Sequence, residues 1–369
     1  MREVLFVAGE ASGDLHAGHV AQALRRIAPE LAIAGVGGGH LRAAGGEIVQ
    51  DYAELAVMGF VEVLKHIPKH AALLRTLTRR IRSGRVAAVV VVDYPGFNMK
   101  VARAAHEAGV PVVYYVTPQV WAWGAKRLTA LAEIVTKAAC ILPFEEPLLR
   151  EHGIDATFVG HPLLDRAEGM PTREAARAKL GFAPEDEVLA LFPGSREQEI
   201  ARHWRDFIAT GEAMVRRRPG LRVLVNAAPT VQLDAARCPF PIARNASFDV
   251  LRAADIALCK SGTTTLEAAI AECPMAVGYR TGKISYAIAR RVVKIPYIGL
   301  VNVVAGRSVA REFIQDALEP ERVADELSRL LLDIPYRQEV LDGLHAVRDQ
   351  LGTPGAADRV AAMVARVAR

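Results

Sequence analysis

Ala254–Ala271 has the sequence ADIALCKSGTTTLEAAIA, and this stretch decides the predicted fold. It opens with a short apolar segment, turns at Lys260–Thr263, and continues with the leucine and alanine content of a helix. The order predicts a strand, a tight loop and a helix N-terminus. Free amides and a partial positive charge at such a terminus bind anions, so we expect a phosphate against this turn, where Gly262 allows close approach.

Glu267 follows one turn into the predicted helix. A carboxylate there is placed to accept hydrogen bonds from the ribose diol of a nucleotide whose phosphates sit at the turn. The alternative is a capped helix after a buried strand, with Glu267 as a solvated first-turn carboxylate. These residues alone leave both interpretations open.

The composition predicts two soluble domains. The chain has 369 residues, of which 51% are hydrophobic and 24% charged, and no apolar run reaches the roughly 18 residues of a membrane span. The amino terminus lacks the regions of a signal peptide, so we expect the protein to stay in the cytosol. The four cysteines have no CxxC spacing, which favours buried reduced thiols over zinc or disulfides.

The net charge of +5 is unevenly distributed. Between Glu62 and Asp93 there is no acid, and apolar residues recur at three- and four-residue intervals in an amphipathic stretch that we expect Pro68 to interrupt. This pattern favours an anionic partner, either a membrane surface or a phosphorylated ligand. The alternative is a basic surface helix packed on the core by its apolar stripe. The cations are Lys65, Lys69, Arg75, Arg79, Arg80, Arg82 and Arg85.

The amino-terminal half alternates strands and helices, and its most informative strand is Val86–Val92. This β-branched run is typical of a central parallel strand, and Asp93 follows it directly. A carboxylate at the carboxyl end of such a strand points into the crevice where α/β proteins bind ligands, so Asp93 is the best general-base candidate by position. A turn or N-cap aspartate ahead of the next helix is the equal alternative.

The alternation starts again in the carboxyl-terminal half. Val188–Phe192 predicts a strand that ends at a loop containing Arg196, whose guanidinium can hold a pyrophosphate in bidentate geometry. Two such halves predict an α/β protein with two doubly wound parallel sheets facing each other across a cleft. We place the domains at residues 1–166 and 167–352, with a final helix at about 353–369 that can pack back on the first.

Nine motifs in this order resemble the lipid-A-disaccharide synthase family. They are GEASGD-LHAG (9–18), MGFVEVL (58–64), VDYPGFN (92–98), TPQVWAW (117–123), LPFE (142–145), GHPLLD (160–165), FPGSR (192–196), SGTTTLE (261–267) and NVVAGR (302–307). The resemblance implies a GT-B glycosyltransferase that joins UDP-2,3-diacylglucosamine to 2,3-diacylglucosamine 1-phosphate. The implied products are the β-1,6-linked lipid A disaccharide 1-phosphate and UDP.

The resemblance also implies roles for individual residues. Asp93 would deprotonate the acceptor 6-hydroxyl, with Ser12 beside it at the reacting end, and no metal or other cofactor would be needed. Trp121, Trp123, Arg79, Arg80 and Arg82 would face the lipid acceptor or an anionic membrane. The implied UDP-binding residues are Ser195, Arg196, Ser261, Gly262, Thr263, Glu267 and Asn302.

The implied location is the cytoplasmic face of the Gram-negative inner membrane. The family pattern is not met at Gly39-His40, Gly124 and Ser308, which we interpret as tuning of acyl or sugar preference. Two other functions remain as alternatives: a UDP-N-acetylglucosamine 2-epimerase and a non-catalytic nucleotide-sensing or membrane scaffold. No nucleic-acid module is recognisable, and the sequence leaves the oligomeric state open.

Overall fold

The computed structural model describes residues 2–54, 60–119, 126–282, 286 and 296–369, without the side chains of residues 60–67 and 126–127. The chain divides into two compact units. The first contains Met1–Asp165 together with Gly352–Arg369, and the second contains Arg166–Leu351.

Within the described part of the first unit, seven parallel strands form one sheet in the order β3-β2-β1-β4-β5-β6-β7. Central strands such as β4 are buried along their whole length, because helices cover both faces of a parallel sheet. The strands are β1 Glu3–Ala8, β2 Ala32–Gly37, β3 Glu47–Asp51, β4 Val86–Val92, β5 Val112–Tyr115, β6 Lys137–Cys140 and β7 Ala156–Phe158.

Two hydrophobic clusters, one on each face, hold this first unit together. The carboxyl-terminal helix belongs to one of them, since Val360 and Val364 pack with Val20 and Leu24 of the first helix. The helices of this unit are α1 Ala11–Ile27, α2 Gly39–Ala43, α3 Phe60–Ile81, α4 Pro95–Glu107, α5 Lys126–Ile134, α6 Glu145–Glu151, α7 Leu163–Ala167 at the boundary, and α15 Ala356–Val367.

The second unit has a parallel sheet of six described strands in the order β10-β9-β8-β11-β12-β13. The strands are β8 Val188–Phe192, β9 Arg222–Ala227, β10 Ile242–Arg244, β11 Ile256–Lys260, β12 Met275–Tyr279 and β13 Glu312–Ile314. The helices are α8 Arg173–Leu180, α9 Glu197–Arg217, α10 Ser247–Ala253, α11 Thr264–Ile270, α12 Leu300–Ala305, α13 Pro320–Leu332 and α14 Ile334–Gln350. No helix among the described residues is long and apolar enough to cross a membrane.

Pro68 does not interrupt the basic amphipathic stretch, contrary to the prediction. A single helix, α3, runs from Phe60 to Ile81 with Pro68 inside it. In the part whose side chains are described, Leu73, Leu77 and Ile81 belong to the core of the first unit. The apolar stripe of residues 68–81 therefore packs on the protein itself, as the core-packing alternative states.

The prediction that Arg80 faces a membrane or the lipid acceptor is wrong, because this side chain is paired within the protein. Its guanidinium donates to both carboxylate oxygens of Glu3 and both of Glu47, each at 2.7 Å. Its hydrogen bonds to Glu47 and Glu3 raise the pKa of Arg80 above its already high ordinary value. Because this side chain is only 15% exposed and fully paired, it is not available to a lipid phosphate. Arg79 is exposed on the same helix, and Arg82 is exposed in the turn that follows it.

Candidate active site

Each sheet has a switch point between two neighbouring central strands. From one of them the chain adds strands toward one edge of the sheet, and from the other it adds strands toward the opposite edge. In the second unit β8 and β11 are neighbours at this point, and in the first unit β1 and β4 are. Ligands of doubly wound folds bind at the carboxyl ends of such strands. The loops that follow β8 and β11 contain Arg196 and Ser261–Thr263, the loop that follows β4 contains Asp93, and Ser12 lies in the first turn of α1, just after the loop that follows β1.

Three donors converge on Glu199 at the switch point of the second unit. The Ser195 amide donates to one carboxylate oxygen at 3.0 Å, and the Lys260 ammonium lies 2.7 Å from the other. The Arg196 guanidinium is 3.8 Å from the same carboxylate. Burial alone would raise the pKa of Glu199, but Lys260 and the Ser195 amide outweigh it, so the pKa lies below its ordinary value.

Lys260 places a cation beside the turn that the sequence singled out. Its side chain is 17% exposed, and its nitrogen is 3.4 Å from where a Cβ on Gly262 would lie. Gly262 has φ +149°, a conformation that L side chains rarely adopt. Arg196, in contrast, is 70% exposed at the N-cap of α9. Lys260, at the end of β11, is thus a half-buried cation and Arg196 an exposed one, and both lie near the Glu199 carboxylate.

His203 joins the loop after β8 to the end of β12. Its Nδ1 lies 3.1 Å from the Pro193 carbonyl and its Nε2 accepts from the Arg280 amide at 2.8 Å, which requires a neutral ring with the proton on Nδ1. Burial first, and then the Lys260 ammonium, lower the pKa of His203. A fully buried neutral histidine therefore sets the position of the loop that holds Ser195 and Arg196.

Ser261 and Thr263 complete the turn after β11. The Ser261 hydroxyl donates to the Ile298 carbonyl at 2.7 Å and keeps its acceptor capacity. Thr263 is the N-cap residue of α11, which has only seven residues. Both residues therefore lie at the carboxyl end of β11, directly after Lys260 and Gly262 respectively.

Glu267 and Asn302 are both buried, and their described contacts differ in kind. Glu267 accepts from Ser247 at 2.6 Å and from Arg166 at 3.1 Å. Asn302 donates to the Ala310 carbonyl and to Glu312, and accepts from two backbone amides. Its amide group is thus engaged by its own chain, and its predicted place near a nucleotide stays a prediction.

Asp93 lies at the switch point of the first unit in a left-handed conformation, with φ +49°. Its carbonyl accepts from the side chains of Asn98 at 2.7 Å and Tyr114 at 2.9 Å, and these buried groups fix the strand end. The N-cap of α4 is Tyr94, so Asp93 does not cap that helix. Asp93 lines a pocket instead.

This pocket has a volume of about 290 Å³, close to the smallest ligand pockets. It contains a second carboxylate, because Glu145 lines it while only 3% exposed. Glu145 also accepts from the Leu142 amide at 3.1 Å, which closes the turn before α6. The other lining residues are Pro95, Val116, Thr117, Pro118, Gln119, Ile141 and Leu142.

Ser12 is exposed at the start of α1, where its hydroxyl donates to Glu10 at 3.4 Å. The buried polar side chain of that motif is Asp14, whose carboxylate accepts from the amides of Gly38, His40 and Leu41 at 2.6–3.2 Å. It thereby holds the glycine-rich loop after β2 in place. Trp121 and Trp123 lie outside the described residues.

Sequence reasoning missed five residues of these two edges: Lys260, Glu199, His203, Asn98 and Glu145. The last two belong to quoted motifs, so their positions after strand ends could have drawn attention to them. Lys260 was assigned only to a polar turn. His203 and Glu199 lie inside a helix. The helical pattern does not distinguish a polar residue that faces inward and contacts a loop from one that faces solvent.

The comparisons with known proteins show both fold and family. The structure of the UDP-GlcNAc 2-epimerase from Neisseria meningitidis bound to UDP-GlcNAc superposes with a TM-score of 0.66 at 13% identity, covering 99% of this chain and 100% of that one. The calicheamicin glycosyltransferase CalG4 superposes with a TM-score of 0.62 at 19% identity over 100% of both chains. The fold is thus that of the GT-B class, as predicted.

The sequence comparison is more specific. Residues 4–356 match the family model described as Lipid-A-disaccharide synthetase. The lipid-A-disaccharide synthase of Geobacter metallireducens is 39% identical over 370 residues, covering 98% of this chain and 96% of that protein. The chain belongs to the lipid-A-disaccharide synthetase family. Membership confirms the resemblance and the glycosyltransferase activity expected from the motifs, and it does not favour the epimerase alternative.

The lowered pKa of His203 predicts a pH-dependent stability. The unfolded chain takes up this proton near pH 6.5 and the folded protein only below that, so the unfolded state binds more protons in between. The free energy of unfolding should then fall by up to about 1.4 kcal/mol per pH unit as the pH drops below 6.5, because of this group. Urea titrations at several pH values give the free energy of unfolding at each pH, and its dependence on pH should be weaker in His203→Gln than in the unchanged protein. Equal slopes for both proteins would contradict the assignment.

Proposed function

We propose that this chain transfers 2,3-diacylglucosamine from UDP to the 6-hydroxyl of 2,3-diacylglucosamine 1-phosphate. The products would be the β-1,6-linked lipid A disaccharide 1-phosphate and UDP. The observation that carries the proposal is the family match over nearly the whole chain. The placement of Asp93 and Arg196 at the switch points of their sheets supports it, because that is where doubly wound folds bind ligands.

The second unit would bind UDP. Arg196 and Lys260 supply positive charge for the diphosphate, and Glu267 accepts from the ribose. Charge-assisted hydrogen bonds of this kind are stronger than neutral ones. The same cations would stabilise the negative charge that develops on UDP as the anomeric carbon is released.

Asp93 would act as the general base. It would accept the proton of the acceptor 6-hydroxyl as that oxygen attacks the anomeric carbon from the face opposite UDP, which inverts the configuration. The pocket around Asp93 and Glu145 has no lysine or arginine in its described lining, which suits the hydroxyl-bearing end of the acceptor better than its phosphate. Ser12 would act beside Asp93 at the reacting end.

Asp93→Asn should separate catalysis from donor binding. Loss of the general base should lower kcat by about 10²–10⁴-fold, while the Kd for UDP stays within about twofold. Asp155→Asn removes an exposed aspartate from the same unit and serves as the control. Measurements of UDP release and calorimetric titration with UDP check both values. Normal turnover by Asp93→Asn would exclude it as the base.

Arg196→Gln and Lys260→Gln form the other arm of that experiment. Each should weaken UDP binding by about 10–100-fold, because each removes a charge-assisted contact with the diphosphate. Binding of uridine, which lacks the diphosphate, should be unchanged. Arg202→Gln, at an exposed arginine of the same helix, is the control. An equal loss for uridine and UDP would argue against diphosphate contacts.

We also propose that the protein associates peripherally with the anionic cytoplasmic surface of the inner membrane, where both lipid substrates reside. Arg79 is exposed on α3 and Arg82 is exposed just after it, and both carry this proposal, since each basic residue near an anionic surface contributes about 1 kcal/mol. Arg80 is excluded from it by its two carboxylate partners.

Arg79→Ser with Arg82→Ser should weaken binding to phosphatidylglycerol-containing vesicles by about tenfold or more, and added salt should weaken it in the unchanged protein. Arg80→Ser should behave differently and cost about 3–5 kcal/mol of folding stability, because it leaves the buried carboxylate of Glu3 unpaired. Vesicle sedimentation and urea denaturation measure the two effects. Salt-independent sedimentation, or a double variant that binds normally, would contradict the proposal.

A further inference from the structure

Arg166, Ser247 and Glu267 form a polar cluster in the second unit, which we call the carboxylate clamp. The Arg166 guanidinium donates to Oε1 of Glu267 at 3.1 Å, and the Ser247 hydroxyl donates to Oε2 at 2.6 Å. Glu267 is 10% exposed at its side chain, and Arg166 is 39% exposed. Each oxygen of one carboxylate is therefore held by a different residue.

The clamp draws on three separate elements. Arg166 is in α7, Ser247 is the first residue of α10, and Glu267 lies in α11. Arg166 also lies over the ring of Phe248, with its guanidinium carbon 5.7 Å from the ring centroid. Two anchors on opposite oxygens restrict rotation of the carboxylate, so its remaining lone pairs have a defined direction.

The carboxylate clamp leaves some hydrogen-bond acceptor positions of Glu267 available. An ionised carboxylate has about four lone-pair positions, two on each oxygen. The described residues fill one on Oε1 and one on Oε2. One position on each oxygen therefore remains, and a vicinal diol supplies two hydroxyl donors at matching separation.

We propose that Arg166 and Ser247 are positioning residues that orient Glu267 to accept both ribose hydroxyls of UDP, and that the clamp thereby selects ribonucleotides over deoxyribonucleotides. The inference rests on the proposed function, since it needs UDP bound with its ribose at Glu267. A site built to accept two hydroxyl hydrogen bonds discriminates strongly against a ligand that lacks one.

The chain contains a matched control for this arrangement. Glu326 is another buried carboxylate, and it accepts from Tyr336 at 2.6 Å and from Arg311 at 3.3 Å. Arg311 is exposed to a similar or greater degree than Arg166. Tyr336→Phe and Arg311→Gln therefore remove the same kinds of contact from a carboxylate that has no proposed ligand.

The experiment compares binding of UDP, 2′-deoxy-UDP and 3′-deoxy-UDP by calorimetric titration. The unchanged protein should bind UDP about tenfold or more tightly than either deoxy analogue. In Ser247→Ala and Arg166→Gln the affinity for UDP should fall about fivefold or more and that for the analogues less than twofold, so the selectivity approaches one. Arg166→Lys should recover part of the selectivity, because it keeps the charge but not the planar fork.

The Glu326 controls should keep the selectivity of the unchanged protein, whatever their effect on folding stability. If Ser247→Ala or Arg166→Gln lowers the affinity for all three nucleotides by the same factor, the role of that residue is merely structural and the inference is overturned. An unchanged protein that binds UDP and the deoxy analogues equally would also overturn it, a result that leaves the proposed function intact. Failure of the unchanged protein to bind UDP at all would overturn both.

Discussion

Parallel strand pairing around a central reversal is the constraint on which both units depend. Because all described strands of a sheet run in one direction, their carboxyl ends share one edge and the following loops meet there. The reversal between β1 and β4 lies beside the strand end that precedes Asp93, and the reversal between β8 and β11 lies beside the strand end that contains Lys260. Residues far apart in sequence become neighbours at an edge only through this topology.

Buried and partly buried carboxylates fix several loops of the two units. Asp14 holds the amides of the glycine-rich loop after β2, Glu199 holds the Ser195 amide, and Glu312 holds the amides of Ile298 and Gly299. A carboxylate that accepts backbone hydrogen bonds costs little to bury and gives an irregular loop a fixed shape. Binding groups on such loops are then oriented before a ligand arrives, which reduces the entropy lost on binding.

The sequence predicted the parts of the fold that depend on local pattern. Val86–Val92 and Val188–Phe192 are continuous apolar runs, and the structure has both as buried central strands. Short edge strands such as Ile242–Arg244 carry little pattern and were missed. The motif resemblance identified the family, and Asp93 and Arg196 follow the ends of β4 and β8, the strands that the sequence pattern predicted.

Side-chain partnerships were the part that pattern could not predict. The seven cations between Glu62 and Asp93 look alike in sequence, yet Arg80 is paired with Glu3 across 77 residues. Pro68 was expected to interrupt the amphipathic stretch, but tertiary packing of the following residues on the core keeps α3 continuous. In the sequence Lys260 belongs to a polar turn, whereas in the structure it ends β11 and pairs with Glu199 of α9.

The most direct test of the central claim is product analysis. The protein is incubated with UDP-2,3-diacylglucosamine and 2,3-diacylglucosamine 1-phosphate, and the mixture is examined by mass spectrometry and NMR. The account predicts a β-1,6-linked disaccharide 1-phosphate and one UDP released for each disaccharide formed. Hydrolysis or epimerisation of the donor without a disaccharide, or an α-linked product, would contradict it.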